Sequence, residues 1–192
     1  MIQMGMAVAL AAAMTVSGGL PDGMLFMESH PPAKEWETYK ETDSTNLPLQ
    51  LNPCFNRSRR DGGRLATRAV LYRGEYEVKY EQLVLYKTVQ HAERAMDLLR
   101  ADLKKCADVG KGLKRSRYFT KPLHVGDEGL RAGGRAYESG EHAVAVRRGA
   151  AVYLVGKSAW PTRSLPIKRF RDLIAQAETM AVRVCALPKA SC

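Results

Sequence analysis

Four cysteines, Cys54, Cys106, Cys185 and Cys192, constrain this chain more than any other feature of its sequence. None belongs to a Cys-x-x-Cys pair, and Cys106 and Cys185 each close a helically patterned segment. An even number without metal-type spacing favours disulfides formed in an oxidising compartment. His30, His91, His124 and His142 are scattered and join no cysteine in a zinc pattern, so no metal and no cofactor is expected. A length of 192 residues suffices for one domain with a real core, and 1–192 is read as that domain. Hydrophobic residues at 45% and charged residues at 26% exclude disordered and membrane-embedded classes. A net charge of +10 implies attraction to polyanions such as lipid head groups or acidic polymers. Aromatic residues at 7% are too sparse for a stacking platform, so no specific nucleic-acid partner is expected.

Residues 6–14 form a nine-residue apolar run, too short to span a bilayer, and no Lys or Arg precedes it. Ile2, Met6, Ala9, Leu10, Ala13 and Met14 share one helical face, which predicts an amphipathic first helix and an export signal lying outside this sequence. From 30 to 53 the Pro-, Thr- and Asn-rich sequence reads as an extended arm over a core. Residues 65–72 and 78–88, separated by Gly74, predict a hairpin. Ala92, Met96, Leu99, Leu103 and Cys106 recur at spacings of three and four, predicting a helix over 89–106 capped by Thr88. Residues 111–121 read as a basic connector. Three strands are expected over 130–139, 142–148 and 150–157, the last two joined at Gly149 as an antiparallel hairpin. A final helix is predicted over 165–185, capped by Ser164, with Ile167, Phe170, Ile174, Ala177, Ala181 and Val184 on its apolar stripe. The expectation is an α+β fold, a mainly antiparallel sheet of about five strands with the helices on one face.

Leu20-Pro-Asp-Gly23 after a helix, Cys54 before the first strand, the helix ending at Cys106, Gly126-Asp-Glu128, Val144-Ala-Val-Arg-Arg-Gly149 and the last helix ending at Cys185 resemble, in that order, one family. It is the extracellular sensor domain of the mycobacterial serine/threonine kinase PknH, with its secreted and lipoprotein relatives in actinobacteria. The resemblance runs from about residue 10 to the end of the chain and implies an α+β domain with two disulfides and a ligand cleft. It departs at Leu103-Lys104-Lys105, where the family pattern has a tryptophan.

No nucleophile elbow, phosphate-binding loop or His-Glu-x-x-His motif is present. Asp127 and Glu128 are adjacent and point to opposite faces of an extended segment, so they form no carboxylate pair. Ser158 precedes Trp160-Pro161, with no helix to present it as a nucleophile, and Trp36 and Trp160 are expected to cover core edges. The expectation is a non-catalytic, extracytoplasmic binding or sensor module for an unidentified small-molecule or envelope-polymer ligand, the alternatives being an interaction component that binds polyanions and a secreted hydrolase. Of the three pairings open to four cysteines, proximity favours Cys185 with Cys192 across Pro188, and hence Cys54 with Cys106. The second bridge would hold two α-carbons about 4.4 to 6.8 Å apart. Arg57, Arg59 and Arg60 would then meet Lys104, Lys105 and Lys111, an expected anion-binding edge.

Overall fold

The structure, a computed structural model, describes residues 19–58, 60–161 and 170–192. The expected first helix lies outside the described residues, as do Arg59 and the segment holding Ser164 and Ile167.

In chain order the elements are β1 (Thr38–Thr42), β2 (Arg64–Arg73), β3 (Glu77–Tyr86), α1 (Val89–Lys105), β4 (Asp108–Val109), β5 (Ser116–Leu123), β6 (Glu128–Ala136), β7 (Ser139–Arg148), β8 (Ala151–Ala159) and α2 (Phe170–Arg183). One sheet holds all eight strands in the order β1-β2-β3-β8-β7-β6-β5-β4, and every pair is antiparallel. The fold is therefore α+β, with more strands than the sequence suggested. The added strands are β1, inside the expected arm, and β4 and β5, the one just before the expected basic connector and the other beginning within it. Ser158, expected after a strand, lies within β8.

Two disulfides, Cys54–Cys106 and Cys185–Cys192, close the chain, with α-carbons 5.4 and 5.5 Å apart. The Thr88 hydroxyl accepts a hydrogen bond from the His91 backbone N–H, capping α1 as its sequence predicts.

The helices do not share a face. Along β8, Val152 and Leu154 pack with Met96, Leu99 and Leu103 of α1, whereas Tyr153 and Val155 pack with Phe170, Leu173 and Met180 of α2. Successive strand residues point to opposite faces, so α1 and α2 cover opposite sides of the sheet. That is why β7 and β8 are apolar almost throughout: a strand covered on both faces has no polar alternation. The segment around Leu20, Met24 and Leu25 completes the α2 side. Glu81 holds it by accepting hydrogen bonds from the backbone N–H groups of Phe26, at 3.1 Å, and Met27, at 2.8 Å.

On the α1 side a row of side chains crosses five strands. Tyr80 on β3 lies over Gly156 on β8, and Tyr118 on β5 lies over Gly134 on β6. A Cβ at Gly156 or Gly134 would stand 2.3 or 2.7 Å from the facing tyrosine ring, so only glycine admits it. Both hydroxyls donate to Glu141 on β7, between them, at 2.7 and 2.6 Å. Burial raises the Glu141 pKa above the usual carboxylate range against the opposing pull of these two bonds. A carboxyl raised in the folded state favours folding fully below its unfolded pKa and loses that contribution as pH climbs through the raised value. Glu141→Gln is therefore expected to gain stability relative to wild type as pH rises from about 4 into the neutral range. Urea midpoints of both proteins across that range check this, and parallel pH curves would refute it.

Candidate functional site

The Cys54–Cys106 bridge ties the loop before β2 to the C-terminal end of α1. It ties the segment carrying Arg57 and Arg60 to the end of α1 carrying Lys104 and Lys105, and it also brings in Asp102, one helical turn before Cys106. Asp102 forms an ion pair with Arg60 and accepts a hydrogen bond from the Asn56 side-chain amide at 3.0 Å. Arg60 is thus already neutralised. Arg57, Lys104, Lys105 and Lys111 are exposed.

Lys104 leads to a concave feature. Along the second half of α1, Arg100, Leu103 and Lys104 face Thr120, Lys121 and Pro122 of β5 and Gly129 and Leu130 of β6 across a groove of about 330 Å³. Its floor is apolar and packed, with Leu103 and Leu130 buried beneath. Its charged rim is entirely basic. Arg100 is fixed by Asp97, at 3.1 Å, and by Glu128, so its charge, like that of Arg60, is already balanced, whereas Lys104 has no carboxylate partner among the described residues. Cavities of this size with an apolar floor and a few placed polar groups are the usual form of a small-ligand site.

Gly126-Asp127-Glu128 serves as a clamp. Asp127 accepts from the Gly149 backbone N–H at 2.7 Å and from Arg147 and Arg148 at 3.0 and 2.7 Å. Glu128 binds Arg147 and Arg100. Burial tends to raise both carboxyl pKa values, but these bonds and charges outweigh it, and both lie below the usual range. The motif thus locks the β5–β6 turn to the β7–β8 hairpin.

Two hydrogen-bonded carboxylates inside the sheet, the buried Glu81 and the partly buried Glu141, escaped the sequence reading. Glu141 lies beneath its tyrosines on the α1 face, and Glu81 accepts from the Tyr153 hydroxyl at 2.7 Å on the α2 face. Burial raises the Glu81 pKa while its hydrogen bonds oppose the shift. The one local signal is an acidic residue inside an otherwise buried strand. His142 stacks edge-on against Phe170 at 4.8 Å and packs as a core side chain. Trp36 and Trp160 are exposed rather than covering the core, Trp160 lying against Tyr76 at 6.3 Å. Among the described residues no group of three or more His, Cys, Asp and Glu is placed to hold a metal ion, and no helix is long and apolar enough to cross a membrane.

No family model and no curated protein matches the chain. Four chains of known structure do. One is the extracellular domain of PknH from Mycobacterium tuberculosis, 14% identical over 77% of this chain and 82% of that chain, with a TM-score of 0.47. Another is an uncharacterized protein of Mycobacterium smegmatis, an Rv0999 ortholog, 12% identical over 79% and 91% of the two chains, with a TM-score of 0.38. The extracellular domain that the sequence motifs resemble is thus among the solved structures to which this chain is similar.

Proposed function

We propose that this chain is a non-catalytic, extracytoplasmic module that binds an amphipathic anion in the groove between α1 and the β5–β6 strands. The groove itself carries the reading: an apolar floor of Leu103, Pro122 and Leu130 beside Lys104, a cation that no carboxylate among the described residues holds, suits a ligand with an acidic head and an apolar body. Two disulfides support the compartment, because such bonds persist where thiols are not kept reduced. The carboxylates Glu81 and Glu141 are each held by hydrogen-bonding partners, which favours structural over catalytic roles for them. The cations Arg57, Lys105 and Lys111 add a general attraction at the neighbouring end of the domain.

The test is thermal stabilisation by decyl phosphate and by inorganic phosphate, because a ligand of the native state raises its melting temperature. Decyl phosphate is expected to stabilise the wild type, inorganic phosphate to do so weakly, and Lys104→Glu to lose most of the effect. An Arg57→Glu/Lys105→Glu variant should retain it. Equal stabilisation of the wild type and Lys104→Glu would remove the groove from consideration and leave the disulfide end as the anion site.

A further inference from the structure

The same two strands carry a second charged surface on their other side. Tyr118 of β5 and Leu130 and Ala132 of β6 pack with α1, so Arg117, Phe119 and Lys121 of β5 and Arg131, Gly133 and Arg135 of β6 belong to the α2 face. α2 packs chiefly on β7 and β8, and at its start the Phe170 ring lies 5.9 Å from the Arg131 guanidinium of β6. Phe119 is therefore 63% exposed.

The register places like charges directly opposite one another on both sides of that ring: Arg117 faces Arg135, Phe119 faces Gly133, and Lys121 faces Arg131. Cross-strand pairs of like charge destabilise a sheet, and here two of them flank an exposed aromatic ring. None of the four cations forms an ion pair with a carboxylate among the described residues, which include every Asp and Glu of the chain. Asp108, opposite Arg117, is already bound by Arg115. At one end of the strip Arg115, Arg117, Arg135, Tyr137 and Gly112 line a recess of about 260 Å³, in which Asp108 holds Arg115 and leaves Arg117 and Arg135 without an ion pair among the described residues.

We infer that this face of β5 and β6 docks on an anionic lipid bilayer. Phe119 enters the boundary between head groups and acyl chains, Arg117, Lys121, Arg131 and Arg135 engage lipid phosphates around it, and the arginine recess takes one head group. A lone projecting phenylalanine ringed by cations fits an interface that is apolar at depth and anionic at its surface. It does not fit a single-stranded nucleic acid, which needs successive aromatic platforms. The site is distinct from the groove, which opens on the α1 face.

The experiment measures binding of the whole 192-residue chain to phosphatidylglycerol/phosphatidylcholine vesicles and to pure phosphatidylcholine vesicles over a salt series. Binding is expected only to the anionic vesicles and to weaken with salt. A loss of about fivefold per cation predicts about 25-fold weaker partitioning for Arg117→Ala/Arg135→Ala. Phe119→Ser should lose about tenfold. Phe119→Trp should acquire a blue-shifted emission quenched by brominated lipids, a response that general electrostatic adsorption does not give. All these positions are on the sheet surface, and urea midpoints no lower than that of the wild type confirm that the variants fold. The inference is overturned by absence of vesicle binding, by wild-type partitioning of Arg117→Ala/Arg135→Ala or of Phe119→Ser, by failure of brominated lipids to quench the emission that Phe119→Trp adds, or by binding to heparin or single-stranded DNA without binding to vesicles.

Discussion

Replacing Cys54 and Cys106 together by serine is expected to lower the unfolding free energy by about 4 kcal/mol, against about 2.5 kcal/mol for replacing Cys185 and Cys192. The difference comes from the unfolded chain. The first bridge joins residues 52 apart in sequence and the second residues 7 apart, and a longer closed loop removes more conformational freedom from the denatured ensemble. The longer bridge also ties down Leu51, 1% exposed, which packs with α1 through a segment containing no regular element between β1 and β2. The short loop sets Leu187 and Ala190 into the α2-side core, where the Ala190 carbonyl accepts from the Ala150 backbone N–H, but it closes far less of the chain. Urea unfolding of the two double variants gives the comparison, and equal losses would contradict it.

Leu99→Ala and Phe170→Ala should each be strongly destabilising, by about 2–5 and about 3–5 kcal/mol. Leu99 is 3% exposed among Val152, Leu154 and Met96, while Phe170 is 8% exposed in the cluster with Val144, Val146 and Tyr153. The more telling quantity is the double variant. A sheet separates the two cavities and they share no neighbour, so the losses should add to within about 0.5 kcal/mol. Helices packed side by side on one face would instead give a substantial coupling energy. Because the summed loss approaches the whole stability of a domain, the cycle is best measured in a stabilising osmolyte.

The residues that made α1 legible are Ala92, Met96, Leu99 and Leu103, whose spacing survives any tertiary context. The β2–β3 and β7–β8 hairpins were equally open to reading. β5 was not, because Arg117, Lys121 and the preceding Lys111, Lys114 and Arg115 overwhelm its pattern, in which Ser116 and Tyr118 turn inward on one face and Leu123 on the other. β1 is a five-residue edge strand whose pairing with β2 supplies the order its sequence lacks. Two-sided covering of the sheet was written in the uninterrupted apolar runs of β7 and β8, a signal that points to two layers rather than one. The charge of the binding surfaces could be read from composition, but not its distribution. Capture of Arg60 by Asp102 depends on a contact across 42 residues, and the opposition of Arg117 to Arg135 depends on a register that sequence alone leaves open. The Tyr80–Glu141–Tyr118 row spans five strands and has no local trace at all.

The pairing of β3 with β8 carries a consequence for biogenesis. The N-terminal strands β1 to β3 and the C-terminal meander β4 to β8 meet only along this seam, which runs from Leu85 with Ala151 to Glu77 with Ala159. A polypeptide emerging N-terminus first from a ribosome or a translocation pore therefore displays β3 with one open margin until nearly all of the chain has followed. Pairings so distant along the chain form slowly. Such a chain stays threadable while it is being made and gains its full sheet only after β8 is free. Cys54 and Cys106 both emerge before that moment, so an oxidising exit side can fasten the end of α1 while the sheet is still in two halves.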